Sequence, residues 1–375
     1  MVDLAKSETQ SMLQASARQL FDARYPLAAI RAMDDDPGGV SPALWREMRE
    51  LGWPGLAIPA ELGGQGGSLL DLALLYEEFG RACLPLPLFS SAVLCGQAIL
   101  EAGSDEDRAR FVPGIASGEA RWAFAFTERE YGWGPDDIQL PARSDGASWR
   151  LTGTKFAIPY AEGADWLLVP ARTSARPAGG GLSLFAVAGN AAGLQRRNLS
   201  GWQGDTIAEV TFDNTPGQAI GGIDEAWGPL GRVLDRATAV LTTYIAGASQ
   251  KVFELTAAYG RSRIQFGVPI GSFQRVQDRT IEIVNAADAA RWTSYEAIWR
   301  LEQDREDSGE AVALAKMVAS QGFIKGMEEA HHVYAGYGAD RNLGLWLYTR
   351  KARSLFHYLG DPAHHRARIA HELDL

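Results

Sequence analysis

The side chains best suited to bind a charged ligand lie in one short segment between two helical patterns. It carries a cation, Arg263, two amides, Gln265 and Gln274, and two aromatic rings, Phe266 and Phe273. A planar guanidinium beside amide donors suits a phosphate or a diphosphate, because its donors can match two anionic oxygens at once. The aromatic rings can flank a planar group of the same ligand. The segment predicts a nucleotide or phosphate site; the alternative is a plain helix–helix connection with a solvated arginine.

Glycine and proline give this segment its shape. Within residues 263–277, here named the elbow, Gly267, Pro269 and Gly271 interrupt the helical period. Proline has no amide hydrogen to continue a helix, and glycine tolerates the backbone conformations that end one. We therefore predict a shaped turn here rather than the interior of a helix.

The chain has three regions that differ in their sequence patterns. Helical patterns dominate the first part, beginning with a helix predicted from Ser7 to about Ile30. From Trp122 to Phe212, short apolar stretches alternate with turn-forming residues, which is typical of a compact antiparallel β domain. Long patterns with apolar residues three to four positions apart then return and flank the elbow. Two further turns are predicted at 34–39 and 177–181.

These sequence patterns predict an α+β multidomain fold. An N-terminal helical domain would span 1–120, a central antiparallel β domain 121–222, and a C-terminal four-helix bundle 223–375. In the first long helix of that bundle, Gly247 would let a neighbouring helix approach closely, because it has no side chain.

Composition narrows the classes of partner. The chain has 375 residues, a net charge of -10 and a pI near 5.2, which argues against nucleic acid and anionic membrane as partners. No apolar run is long enough to span a bilayer. Two cysteines, Cys83 and Cys95, do not make a disulfide framework, so we expect a cytoplasmic protein. We also expect no metal site, because adjacent histidines on a helix, as at 331–332 and 364–365, point in different directions.

The elbow resembles a signature of the acyl-CoA dehydrogenases. It matches the family's R-x-Q-F-G-x-P-I-x-x-F-Q-x-V-Q at every defined position. In that family the segment crosses a subunit interface and holds the diphosphate and adenosine part of an FAD bound mainly by the neighbouring subunit. The resemblance implies this FAD-binding role for Arg263, Gln265, Phe266 and Gln274, with Phe273 beside them.

A second segment resembles the same family. Residues 335–340, Ala-Gly-Tyr-Gly-Ala-Asp, are similar to its G-G-x-G turn. The resemblance implies that Gly336 and Gly338 meet the adenosine part of the same FAD. The alternative is a glycine pair that ends a helix. The order of helices, β domain and helical bundle is also the acyl-CoA dehydrogenase architecture.

The two motifs that hold the flavin ring in this family are incomplete here. The first resembles T-E-P-x-A-G-S-D, of which Thr127 and Glu128 are present, and Thr127 stays a cofactor-binding candidate. The second resembles G-x-K-x-W-I-T-N, but Ala157, Pro159 and Tyr160 replace its Trp, Thr and Asn. Proline offers neither an amide hydrogen nor a hydroxyl to a flavin.

The catalytic base of the family has no obvious counterpart. Members remove the α proton of an acyl-CoA with a carboxylate that usually precedes a glycine, and here Leu359 precedes that glycine. The family's alternative position falls near Ala237. Asp361 and Asp235 are the nearest carboxylates and therefore the weak candidates, although Asp361 before a proline is also typical of a helix cap.

The resemblance implies an FAD-dependent α,β-dehydrogenation of an acyl-CoA, with an electron-transfer flavoprotein or a similar acceptor. Two versions stay open: a self-sufficient homo-oligomer with a displaced base, and a non-catalytic partner subunit in a hetero-oligomer, as a dimer or a tetramer. A third alternative is a flavin monooxygenase or a nitroalkane oxidase of the same fold. If it is a flavin monooxygenase, His364 or His365 could take part in the chemistry.

Overall fold

The computed structural model describes residues 6–34, 41–146, 148–175, 180–199 and 206–373. The predicted turns at 34–39 and 177–181 lie largely outside these ranges. The N-terminal region is helical, with one π-helix (Phe89–Gly96) before α5. Its α-helices are α1 (Glu8–Arg24), α2 (Leu27–Asp34), α3 (Pro42–Glu50), α4 (Leu69–Arg81), α5 (Gln97–Ala102) and α6 (Asp105–Ala116).

The first predicted helix is wrong in its extent, because the structure divides it in two. Helix α1 ends at Arg24 and α2 begins at Leu27. Pro26 lies between them, and its ring and missing amide hydrogen do not allow the first helix to continue. The start was well marked, since the Ser7 side chain accepts a hydrogen bond from the Gln10 amide in a capping box.

The middle region is one twisted assembly of seven strands. The strands are β1 (Trp122–Phe124), β2 (Ala142–Ser144), β3 (Trp149–Pro159), β4 (Trp166–Arg172), β5 (Leu182–Ala188), β6 (Leu194–Leu199) and β7 (Ile207–Ile220). Their order in the sheet is β1-β4-β5-β7-β3-β2, and the long strand β7 also pairs with β6. All pairs are antiparallel except β1 with β4, which is parallel.

Strand β1 explains how the sheet meets the N-terminal helices. Its edge amides at Trp122 and Phe124 donate hydrogen bonds to the hydroxyls of Ser91 and Ser90 on the π-helix, each over 3.1 Å. These hydroxyls satisfy donors that an edge strand would otherwise leave unpaired. The π-helix is therefore fixed against the sheet.

The C-terminal region holds the longest helices. They are α7 (Trp227–Ser262), α8 (Gln274–Glu302), α9 (Ser308–Tyr334), α10 (Leu345–His357) and α11 (Pro362–Glu372). Helix α4 of the N-terminal region packs against α7, where a Cβ added to Gly247 would lie 1.9 Å from the Glu77 carbonyl oxygen. The predicted close approach at Gly247 is thus confirmed, and the approaching helix is α4.

One hydrophobic core joins the N-terminal helices to the C-terminal bundle, and a second fills the β domain. Within the described ranges, no helix combines the length and apolar character needed to cross a bilayer. Those ranges also hold no cluster of three or more His, Cys, Asp or Glu side chains suited to a metal ion.

Candidate functional site

The elbow is a β-hairpin between α7 and α8. Strands β8 (Ile264–Gln265) and β9 (Val268–Pro269) pair antiparallel, and a short 3₁₀ turn leads into α8. The hairpin packs back on α7, where a Cβ added to Gly271 would lie 3.0 Å from the Gly260 carbonyl oxygen. The sequence predicted a shaped turn but not the paired strands, which are only two residues long.

Phe266 lies at the tip of this hairpin in an unfavourable state. Its φ is 53° and that of Gly267 is 80°, so both central residues adopt positive φ, which Asn-Gly pairs favour in two-residue turns. A bulky residue is strained there. The Phe266 side chain is also 92% exposed. Among the described residues, the Phe266 ring contacts one other ring, that of Phe273, and stays almost fully exposed, which points to a contact outside the subunit.

The elbow and the glycine turn lie together. The Arg263 guanidinium carbon is 4.9 Å from the centre of the Tyr337 ring, between the two predicted cofactor glycines Gly336 and Gly338. The turn packs closely against the His331 side chain on α9, since a Cβ added to Gly338 would lie 2.3 Å from His331 Nδ1. The structure thus brings together both segments that the sequence assigned to one ligand.

This surface fits the diphosphate part of a nucleotide. In the described part of the chain, the Arg263 side chain has no acidic partner, and the Gln274 side chain is exposed without a hydrogen bond. Phe266 and Phe273 form an edge-to-face pair with ring centres 6.1 Å apart. A free planar cation, amides and exposed aromatic rings are the groups that bind an anionic nucleotide. The Gln265 amide nitrogen donates to the neighbouring Ile264 carbonyl oxygen.

The two incomplete ring-binding motifs meet at a separate place, here named the aromatic cavity. Ala157, Pro159 and Tyr160 of the second motif line it, and α10 and the residue before Leu359 close it. Its free volume is about 20 Å³, which holds about one water molecule. The other bulky residues on its wall are Phe89, Tyr131, Leu355 and Tyr358.

Aromatic rings fill most of the aromatic cavity. The Tyr160 hydroxyl accepts a hydrogen bond of 2.6 Å from the Leu86 amide. Tyr358 packs against Phe89 with ring centres 6.1 Å apart and against Trp133 at 5.5 Å. A three-ring flavin is many times larger than one water molecule, and Pro159 removes a donor from the wall. The residues of this cavity therefore do not fit a flavin ring.

Backbone strain marks the same cavity. Tyr131, Ala157 and Tyr160 on its wall, and Leu359 beside it, have φ values between 56° and 58°. Such conformations cost energy in residues with side chains and cluster at ligand sites. The cavity thus keeps the backbone of a binding site, while its side chains close it.

The motif residues that remain have structural partners. The Lys155 ammonium is buried and lies 2.9 Å from both Glu128 Oε1 and the Phe126 carbonyl oxygen. Burial lowers the pKa of Lys155 to about 8, against the opposing effect of Glu128. The predicted cofactor contact Thr127 is buried, and its hydroxyl donates to the Phe156 carbonyl oxygen over 2.6 Å. These residues hold the loop after β1 to β3.

Leu359, at the usual position of the base, lies in a tightly held loop. Below the loop, the buried Lys316 ammonium contacts the carbonyl oxygens of Leu355 and Gly360 at 3.1 and 2.9 Å. His365 Nε2 lies 2.9 Å from the Leu359 carbonyl oxygen. Burial lowers the pKa of Lys316 to about 7 and that of His365 to about 2. These contacts hold the loop, and the Leu359 side chain within it is apolar and buried.

Neither candidate base lines the aromatic cavity. Asp235 forms an ion pair of 2.8 Å with Arg368; burial raises its pKa, and Arg368 opposes that shift. Asp361 caps α11, where its carboxylate accepts hydrogen bonds from the amides of Ala363 and His364.

Histidines do not reach the cavity wall either. His365 is buried against the Leu359 loop, and burial is the main cause that lowers the pKa of His364. Among the described residues, the cavity therefore has no carboxylate and no imidazole on its wall.

Sequence reasoning missed four residues that decide the site. Tyr337 lies against Arg263, and Phe89, Trp133 and Tyr358 close the aromatic cavity. Tyr358 was the easiest of them to identify from the sequence, because it directly precedes Leu359 at the usual position of the base. Tyr337 lies at the undefined position of the glycine-turn motif, and the roles of all three other residues depend on contacts between segments distant in sequence, which no motif reports.

Models of one family match almost the whole chain. The N-terminal domain of acyl-CoA dehydrogenase matches residues 7–119, the middle domain 123–215 and the C-terminal domain 230–373. FadE28, an acyl-CoA dehydrogenase of Mycobacterium tuberculosis, is 30% identical over 323 residues, which cover 85% of this chain and 89% of FadE28.

Two solved structures are close in fold and come from assemblies of two named chains. A variant of the Tcur3481-Tcur3483 steroid ACAD gives a TM-score of 0.88 at 30% identity, covering 98% of both chains. The ChsE4-ChsE5 complex from Mycobacterium tuberculosis gives 0.90 at 25% identity, covering 100% of this chain and 99% of the other. A third structure of the same fold, PigA, is an FAD complex with a TM-score of 0.92 at 22% identity, covering 100% of both chains. With three domain matches in the expected order, this chain belongs to the acyl-CoA dehydrogenase family.

Proposed function

We propose that this chain is the non-catalytic partner subunit of a hetero-oligomeric, FAD-dependent acyl-CoA dehydrogenase. One observation carries the proposal: the aromatic cavity, where its own flavin ring would lie, has room for about 20 Å³. An empty cavity with a displaced base would have favoured a self-sufficient enzyme. A closed cavity, together with an exposed elbow whose arginine has no acidic partner among the described residues, favours a subunit that completes a site on its neighbour.

The elbow would hold the diphosphate and adenosine part of the neighbour's FAD. Arg263 would donate to the diphosphate oxygens, and Gln265 and Gln274 would add amide donors. The exposed rings of Phe266 and Phe273 would cover the adenosine part and exclude water from the interface. When bound, FAD supplies the acceptor for the hydride that leaves the β carbon of the substrate.

The glycine turn would form the second wall of this half-site. Gly336 has no heavy atom within 4 Å of an added Cβ, so its backbone is open to a ligand. Gly338 is closed by His331, which fixes the turn. The adenosine part would thus pass over open backbone at Gly336 while Arg263 meets the diphosphate.

The substrate would be an acyl-CoA thioester of lipid degradation, bound by the partner chain. Similarity to a steroid ACAD and to the two-chain ChsE4-ChsE5 complex supports an assembly of this kind and a fatty or steroid acyl group. The electrons would pass from the partner's flavin to an electron-transfer flavoprotein or a similar acceptor.

The two alternatives predict different behaviour. A self-sufficient dehydrogenase would need the aromatic rings of the cavity to move and a base to replace Leu359. For a flavin monooxygenase the reserve candidates were His364 and His365, but neither lines the cavity. The partner-subunit proposal needs no rearrangement of the described residues.

The test compares the chain alone with the assembly it forms in its own host. A tagged full-length chain is purified from a heterologous host and, separately, from its native host with any associated chain. The proposal predicts no bound flavin in the first sample. In the second it predicts FAD, a second acyl-CoA dehydrogenase-like chain and acyl-CoA-dependent reduction of a dye. Full flavin occupancy and dye reduction by the chain alone would favour the self-sufficient enzyme.

A further inference from the structure

The contact between Arg263 and Tyr337 joins the elbow to the glycine turn at a partly exposed surface. Tyr337 is 49% exposed, and in the described ranges its ring contacts no other cation and its hydroxyl has no hydrogen-bond partner. The Arg263 side chain likewise forms no ion pair or hydrogen bond there. The two side chains thus contact each other, and in the described ranges neither has an ion-pair or hydrogen-bond partner.

An aromatic partner leaves an arginine free to bind an anion. Stacking occupies the face of the guanidinium, while the N–H donors lie at its edge and stay available. A carboxylate partner would orient the side chain as well, but it would occupy those donors and neutralise the charge. Tyr337 therefore orients Arg263 without competing with an anionic ligand.

The backbone holds the Tyr337 ring in place. The residue lies in the short 3₁₀ turn Ala335–Ala339, and its carbonyl oxygen accepts a hydrogen bond of 3.0 Å from the Asp340 amide. Ala335 enters the turn with φ 52° and ψ -137°, an unfavourable conformation for alanine. Two such constraints hold the backbone that carries the tyrosine, so the ring is anchored beside the arginine.

We propose that Tyr337 is a positioning residue, which holds the Arg263 guanidinium ready for the diphosphate of the FAD in the adjacent subunit. The inference rests on the proposed function, since it needs a flavin nucleotide at the elbow. It adds a residue that none of the matched motif positions assigns. The conformational entropy lost when FAD binds is smaller, because one long side chain is already oriented.

A double-mutant cycle on FAD affinity tests the inference. The full assembly from the native host is prepared with wild-type chain, Tyr337→Phe, Tyr337→Leu, Arg263→Ala and the double variant Arg263→Ala/Tyr337→Leu. The FAD dissociation constant is measured by equilibrium dialysis and flavin absorbance. An exposed cation–π contact corresponds to about a two- to fivefold change in affinity. Tyr337→Leu should weaken FAD binding by this factor, and Tyr337→Phe, which keeps a ring, should stay within about twofold of wild type.

The decisive result is the coupling. In the Arg263→Ala background, Tyr337→Leu should have no further effect, because its action depends on the arginine. A residue with a merely structural role would weaken FAD equally in both backgrounds, and that result would overturn the inference. Unchanged affinity in Tyr337→Leu would overturn it too. Tyr337→Met provides a second variant if Tyr337→Leu lowers the melting temperature.

The Tyr337 inference and the partner-subunit proposal can fail independently. If the chain alone holds FAD and oxidises acyl-CoA, the partner-subunit proposal fails, while the same cycle can be run on the homo-oligomer. If the hetero-oligomer forms and holds FAD but the cycle shows no coupling, only the role of Tyr337 fails. If no assembly of this chain holds FAD, both fail.

Discussion

The Tyr160 hydroxyl lies 2.6 Å from the backbone nitrogen of Leu86, and this hydrogen bond fixes a tyrosine ring on the wall of the aromatic cavity. The Leu86 amide comes from the N-terminal region and Tyr160 from the turn after β3. The closed cavity is therefore a contact between two regions, and not a loose side chain that a ligand could displace without cost.

Removing this hydroxyl should destabilise the chain. In Tyr160→Phe the buried Leu86 amide loses its acceptor, which costs about 1–3 kcal/mol of unfolding free energy. Urea unfolding followed by circular dichroism measures the change. Tyr337→Phe is the matched control: its hydroxyl lies on an exposed ring without a partner in the described ranges, so the change should stay below about 0.5 kcal/mol. Equal effects of the two substitutions would mean that the cavity contact adds nothing to stability.

Arg263→Ala should lower the FAD affinity of the assembly without unfolding the chain. The side chain has no ion pair among the described residues, so its loss removes a phosphate contact and little core. A charged hydrogen bond corresponds to about 1.5–3 kcal/mol, or about a 10- to 150-fold weaker affinity. Equilibrium dialysis with FAD gives the value, and the melting temperature reports the fold.

Arg261→Ala is the matched control for that substitution. Arg261 is exposed in the last turn of α7, two residues from Arg263, and has the same charge. Its loss should change FAD affinity by less than about threefold, an effect of general charge rather than contact. If both substitutions weakened FAD equally, or if neither did, Arg263 would have no specific role.

Restoring a carboxylate at the usual position of the base should not create an enzyme. Leu359→Glu places the acid in the same loop, but the neighbouring cavity has a volume of only about 20 Å³. We expect no acyl-CoA-dependent dye reduction by the purified chain with added FAD. Leu359→Gln is the control for burial of a polar group at this site. Flavin reduction by the glutamate variant, and not by the glutamine variant, would show that the cavity opens to a flavin.

The stability of the chain should depend on pH through Lys316. Burial lowers its folded-state pKa to about 7, against an ordinary value of 10.5. Between pH 7 and 9 the unfolded chain therefore binds a proton that the folded chain does not. The unfolding free energy then rises with pH, by up to about 1.4 kcal/mol per pH unit. In Lys316→Met this contribution is absent, so the difference between wild type and variant should change across the window. Parallel stability curves would contradict the depressed pKa.

The elbow was largely predictable from sequence because its information is local. The types and spacing of Arg263, Gln265 and Gln274 indicated an anion site, and Gly267 with Pro269 indicated a shaped turn. The strain and exposure of Phe266 were not predictable, since they depend on the hairpin register and on what covers it. The fold class followed from the same local patterns, except where Pro26 divided the first helix.

The aromatic cavity was predictable only in part. Pro159 and Tyr160 departed from the family's motif, so the loss of flavin contacts could be anticipated. That the cavity is closed depends on Phe89 and Trp133 meeting Tyr358, from three separate segments. No spacing rule reports such contacts. The two candidate bases were proposed by proximity in sequence, and in the structure each has a different partner.

The central claim is that the elbow of this subunit contributes to the FAD site of a neighbouring subunit, while its own aromatic cavity binds no flavin. The most direct test is the visible absorbance of the full-length chain, purified alone and dialysed against excess FAD, beside the hetero-oligomer from its native host. We predict a colourless chain and a yellow assembly with one FAD for each pair of unlike subunits. Stoichiometric FAD in the chain purified alone would contradict it.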